Sequence, residues 1–311
     1  MSTESTIVLI IELLSIVTVV VSLPVYVIVL YTLHRHRHSG ELSSSFFRLM
    51  FSLGISDLLV TAHWYLFMRS LFWNQLLQMH YWGGDWLVKY WVTVCFGLLR
   101  TQQLTVLVAT LNRYTAIVSP TRYYTLWTPR TTTISIYSTY LVGLLSNIFT
   151  VTPACEFSIF ISDTNRAAVK FLRPCWIAVF GVSSMLTFAL AVVFIILYSI
   201  MFWKAWKYEK QTASQARNAN ANSGNLHKAT RNLAIAGCVM SSFVVLMAVY
   251  FMVFAIWPSL FFVYRDICLT LISLIYVMFS MSSPWLLLGM SKPVRKFFSV
   301  TVKRLFCGGQ I

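Results

Sequence analysis

The sequence predicts an all-α membrane protein, a seven-transmembrane helix bundle with a C-terminal amphipathic helix. Three observations carry that expectation. Apolar residues make up 58% of the 311-residue chain and charged residues only 11%, whereas soluble proteins run at about 45–50% and about 25%. Seven mostly apolar windows recur along the chain, each long enough to cross a hydrocarbon core. The basic residues between them concentrate on alternate loops. Together these exclude a soluble enzyme, a small disulfide-stapled secreted domain and a disordered chain. The net charge of +15 would suggest nucleic acid in a soluble protein. Here it reads as the Lys and Arg excess of cytoplasmic loops, with the lipid bilayer as partner and no nucleic acid.

The windows are 7–31, 46–69, 90–118, 133–153, 176–203, 232–257 and 267–289, so residues 1–290 form the bundle and 291–311 a cytoplasmic amphipathic helix and tail. The first window carries only Glu12. It lacks a basic flank before it and is too long for a cleaved leader, so it is expected to stay as an anchor. The second holds Asp57, the third holds Arg100 and ends around Arg113, and the last four contain no charged residue. With the amino terminus outside, 17 of the 24 basic residues lie on the inner side and six on the outer. That split predicts an extracellular amino terminus and a cytoplasmic carboxyl terminus in the plasma membrane. The polar insert Gln211–Asn225 between the fifth and sixth spans is expected to be disordered. Trp73, Trp82, Trp86, Trp91, Trp176 and Trp257 are expected at the outer interface, and Trp127, Trp203 and Trp206 at the inner one. Alternating His34, His36 and His38 sit among arginines, which favours a solvated positive loop over a zinc site. No metal ligand set is expected elsewhere.

The most specific motif closes the third span: Asn112-Arg113-Tyr114, with Ile117 four residues after the arginine, Pro120 seven after it, and Tyr123 three after the proline. It resembles the Asp/Glu-Arg-Tyr segment of rhodopsin-like G-protein-coupled receptors. The resemblance implies a coupling role for Asn112, Arg113, Tyr114, Ile117 and Pro120, with Arg113 offering its planar donor fork to a heterotrimeric G protein. Asn112 stands where the family has an acid. It can hydrogen-bond to Arg113 but cannot form an ion pair, so a weaker resting clamp and appreciable basal signalling are expected.

Asp57 lies 11 residues into the second span, about 16 Å deep. A carboxylate at that depth is a functional candidate by default. Gln102 precedes Arg113 by 11 residues and shares its helix face to within about 20°. The resemblance implies that Asp57 organises an intramembrane polar network with Gln102, Ser280, Ser283 and Pro284. The family often holds a sodium ion at the matching aspartate, so a sodium ion near Asp57 is a possible ligand; hydrogen bonding without an ion is the other reading. In the seventh span the family's Asn-Pro-x-x-Tyr reads Ser283-Pro284-Trp285-Leu286-Leu287. Its tyrosine has no counterpart here. The sixth span lacks the family's mid-helix Trp-x-Pro hinge.

Arg100 lies in the outer half of the third span, turned away from the Arg113 face towards the fourth and fifth helices. Two readings stand: an anchor for an anionic or acceptor-rich ligand, or an arginine satisfied internally or by reaching outward. Cys95, Leu99 and Gln103 join Arg100 as pocket candidates. Cys155 and Cys175 flank the second outer loop and are either bridged or free. In the tail, Phe297, Phe298, Val302, Leu305 and Phe306 can share an apolar side, as in an interfacial helix. Cys307 is either palmitoylated or unmodified.

Chain length, short tails and the Asn-Arg-Tyr variant are similar to the nematode serpentine chemoreceptors, in particular the class gamma and class V groups of the Srg superfamily. That resemblance implies a chemosensory receptor, with sensory-neuron cilia as one possible location. It would bind an unknown extracellular small-molecule ligand and activate a heterotrimeric G protein without catalysis. The alternative is a ligand-gated cation channel subunit of the odorant-receptor type, whose amino terminus would lie inside, against the charge split.

Overall fold

The computed structural model describes residues 3–65, 77–152, 155, 157–161, 167–171, 175, 177–215, 223–257 and 264–306. Its helices are α1 (Thr3–Arg35), α2 (Ser45–His63), α3 (Leu77–Val118), α4 (Pro120–Leu126), α5 (Pro129–Leu145), α6 (Val182–Gln215), α7 (Ser223–Ile256), α8 (Arg265–Met290) and α9 (Lys292–Phe306). Seven of the described helical segments are long and apolar enough to span: Thr6–Arg35, Ser45–His63, Lys89–Val118, Pro129–Val151, Val179–Lys204, Gly237–Ile256 and Asp266–Met290. The chain is a multi-pass membrane protein. Cys307, Trp73 and Trp176 lie outside the described residues.

The third span is the axle of the bundle and is buried over most of its length, whereas the first, fourth and fifth present apolar side chains outward. An aliphatic surface without a core behind it is what lipid requires. The axle meets the fourth span through small residues. Gly97, Thr101 and Thr105 recur every four residues on α3, facing Thr139 and Gly143 on α5. A Cβ on Gly143 would stand 2.6 Å from the Thr101 backbone nitrogen, so only glycine permits this approach. In lipid, where apolar contact alone gives no preference for protein over tails, such close packing supplies the association energy.

Several sequence expectations need correction. A two-stranded antiparallel hairpin, Phe157–Ile161 with Ala167–Phe171, forms in the loop between the fourth and fifth spans. Cys155 and Cys175 flank it and are disulfide-bonded, with their Cα atoms 4.9 Å apart. The insert expected to be disordered is helical at both ends, since α6 runs to Gln215 and α7 starts at Ser223. Gln211, Ala213 and Gln215 are good helix formers, so α6 continues past its apolar stretch. Trp91 is fully buried, not an interface residue. Trp127 is tied down: its indole N–H donates to Thr115 Oγ1 at 2.6 Å, and its carbonyl accepts from Ser45 Oγ at 2.8 Å. Trp203 and Trp206 do face outward, with the Lys207 and Lys210 ammonium groups over their rings.

The apolar side of α9 does not face lipid alone. Val294 is buried in a cluster with Val29, Leu33, Leu42, Phe46 and Leu287, and Phe297 and Phe298 lean on it; Leu305 stays exposed. Arg295 caps the preceding helix, donating to the carbonyls of Leu288 and Gly289, which is a common way to satisfy a helix end. His36 is not simply solvated either. Its ring packs at 4.5 Å from that of Phe297. Burial, then Arg304 and Arg35, hold it below the ordinary histidine range.

Candidate functional site

Two polar centres lie along α3 at different depths, and a third group closes the end opposite the disulfide. The middle centre is built on Asp57. Its carboxylate accepts from the Tyr26 hydroxyl on α1 and from the Gln102 amide on α3. The same amide donates to Ser280 Oγ on α8 at 2.9 Å. Ser283 sits beside the carboxylate with its hydroxyl buried and no well-formed hydrogen bond. Asp57, Gln102, Ser280 and Ser283 thus come together, one turn from Pro284, which lies inside α8. Tyr26 was missing from the sequence expectation. Both carboxylate oxygens already accept a proton donor, and an amide N–H aimed at the carboxylate competes with a cation. This donor set fits a hydrogen-bonded carboxylate better than a sodium ion.

The Asn112-Arg113-Tyr114 segment occupies the end of α3 away from the disulfide. Arg113 is half-buried, and its guanidinium carbon stands 3.3 Å from the centre of the Phe46 ring at the start of α2. Tyr123 and Tyr198 are its electrostatic neighbours, and no carboxylate is paired with it among the described residues. The expected Asn112–Arg113 hydrogen bond is absent. Successive helical residues point about 100° apart, so Asn112 faces the interior at 1% exposure, with neither amide atom bonded. Tyr114 and Ile117 are half-buried, and exposed Pro120 starts α4. Two bonds tie this end of α3 to α6. Thr110 and Tyr198 share a hydroxyl pair at 2.9 Å, and Lys204 Nζ donates to the Val118 carbonyl at 2.5 Å. Tyr198 lies against α7 because Gly237 has no side chain there; a Cβ would overlap its ring.

The second buried polar centre is Arg100, 3% exposed and nearer the disulfide end. It turns to α6, as its helical angle requires. One terminal nitrogen donates to Gln103 Oε1 and Thr187 Oγ1, each at 2.7 Å, and the other to the Ser183 carbonyl at 2.8 Å. The arginine is therefore held internally and does not reach outward. Cys95, Leu99 and Gln103 are buried as well; of the three, Gln103 is bonded to Arg100, and it also donates towards Met247 Sδ on α7. Sequence reasoning missed Thr187, Ser183 and Phe46, because each acts through a partner more than 60 residues away.

Comparison with known families gives a match over residues 15–304 to the model of the serpentine type 7TM GPCR chemoreceptor Srv. A search of curated proteins finds no match. The match begins within the first span and takes in the other six, the Asn112-Arg113-Tyr114 segment and both buried polar centres, and it falls on class V of the two groups the sequence resembles. The chain belongs to the Srv family of serpentine seven-transmembrane chemoreceptors.

Proposed function

We propose that this protein is a chemosensory receptor that binds an extracellular small molecule and promotes nucleotide exchange on a heterotrimeric G protein. The observation that carries the reading is Arg113. It is the one charged group of the coupling motif, held at the end of the most buried helix by an aromatic ring in place of an acid. A stacked arginine is freed by moving one ring, after which its donor fork can reach a partner's carbonyls. The cationic loops at that end suit an anionic membrane face. The protein does no covalent chemistry, and its output comes from differential affinity for two conformers.

The test combines topology with exchange. Tags at Met1 and after Ile311 should stain intact cells only at the amino terminus. Membranes carrying the protein should accelerate nucleotide exchange on purified G protein, and Arg113→Ala should abolish that acceleration with surface level unchanged. An internal amino terminus would favour the channel reading and call for current recordings instead. Equal exchange by the alanine variant at matched surface level would remove the mechanism.

The Asp57 centre works without sodium in this reading. Replacing sodium by N-methylglucamine is expected to leave basal exchange unchanged. A clear rise on sodium removal would restore a sodium site at this carboxylate.

A further inference from the structure

Arg100 is a full positive charge taken out of water in the outer half of a membrane helix. Such a charge is costly and persists where it has work to do. Its hydrogen-bond partners, the Gln103 amide, the Thr187 hydroxyl and the Ser183 carbonyl, are all neutral. They orient the guanidinium but do not neutralise it. No carboxylate among the described residues is paired with it, and its electrostatic neighbour is the phenol of Tyr276. A purely structural arginine would be expected to carry an acid partner, or to be an apolar residue, since a buried uncompensated charge destabilises. A second observation lies on the facing helix. Residues Ile177–Gly181, just before Ser183, form a π-helical turn between the Cys175 bridge and α6. Such turns occur often at functional sites, because one residue more per turn re-aims the side chains beyond it. Just beyond it, the Ser183 carbonyl and the Thr187 hydroxyl meet Arg100.

We infer that the ligand is a small carboxylate whose anionic group pairs with Arg100; this rests on the receptor reading above and names the class of its ligand. The arginine fork matches a carboxylate with two parallel N–H donors. To take the carboxylate, the fork redistributes its bonds to Ser183 and Thr187, so ligand binding and the grip of α3 on α6 become one equilibrium. At its far end α6 holds Thr110 through Tyr198 and the Val118 carbonyl through Lys204. A change in the grip at Arg100 therefore reaches the helix pair that flanks Arg113.

The experiment measures thermal unfolding of the purified full-length receptor in detergent. The probes are sodium salts of straight-chain and aromatic monocarboxylates, with their primary amides and ionic-strength-matched sodium chloride as comparisons. At least one carboxylate should raise the midpoint by about 2–4 °C at saturation, while its amide and chloride do not. The shift should be lost in Arg100→Met. Should that variant fail to fold, Arg100→Lys keeps the charge without the fork and should raise the half-maximal concentration by about tenfold or more. The inference is overturned if no carboxylate protects, if chloride or the amide protects equally, or if both variants respond as the parent does. Basal exchange separates the two claims. Exchange without carboxylate protection sinks the anion site alone, and protection without exchange sinks the coupling mechanism alone.

Discussion

Gly143→Ala should remove most folded receptor from the cell surface and lower its unfolding midpoint in detergent by several degrees. The added Cβ would overlap the Thr101 Oγ1 and stand 2.6 Å from its nitrogen and 2.8 Å from its Cα. Two of those atoms are backbone, so no rotamer change relieves the contact and α5 must move off α3. Overpacking of this kind costs about 1–3 kcal/mol or more, and the shift would also pull apart the Thr105–Thr139 contact one turn along. Gly289→Ala is the internal comparison. Its Cβ would meet nothing within 4 Å, so helix propensity alone should leave stability equal or slightly improved. Removing the Thr101 hydroxyl with Thr101→Ala should not rescue Gly143→Ala, because the backbone clash remains. A Gly143→Ala receptor as stable as the parent would show that the small-residue seam does not set the approach of these helices.

Phe46→Leu should raise ligand-free exchange about fivefold, with surface level near that of the parent. The ring holds the Arg113 guanidinium at 3.3 Å, and a stacked pair of this kind is worth on the order of 1 kcal/mol, which corresponds to about a fivefold population shift. Leucine keeps most of the apolar volume in the cluster with Val29 and Leu42, so folding should survive. Exchange should fall to background in the double variant with Arg113→Ala, since the released group is then absent. Basal exchange in Phe46→Leu equal to that of the parent would mean that the ring packs under Arg113 without restraining it.

The helical repeat made much of this legible. Counting 11 residues back from Arg113 places Gln102 on the same face, and the structure joins it to Asp57. Counting 13 back turns Arg100 towards the fifth span, where it meets Ser183 and Thr187. Tyr26 could have been found in the same way. It lies nine residues before Arg35, so about 14 Å from the helix end, close to the depth of Asp57. The Phe46 contact was not legible, because an aromatic at a helix start reads as core. Nothing local says that a cation on another helix will lie on its face. The small-residue seam was present in the spacing of Gly97, Thr101 and Thr105, but its partner face on α5 depends on which helices are neighbours. The tryptophans make a related point. Trp91 reads as a belt residue, and its burial is decided by rotation about the helix axis; Trp127, half-buried, is anchored by a hydroxyl 12 residues away.

Phe46 belongs to two structures at once. It carries Arg113, and it sits in the cluster that seats Val294 of α9 beside Leu33 and Leu287. Two events that move one shared ring are linked by a single coupling free energy, and linkage is reciprocal. Whatever factor the seating of α9 contributes to retention of Arg113, release of Arg113 must return to the seating of α9. A surface that pressed α9 onto this cluster would on that account act on the retention of Arg113, and a partner engaged at Arg113 would by the same arithmetic act on how firmly α9 is seated.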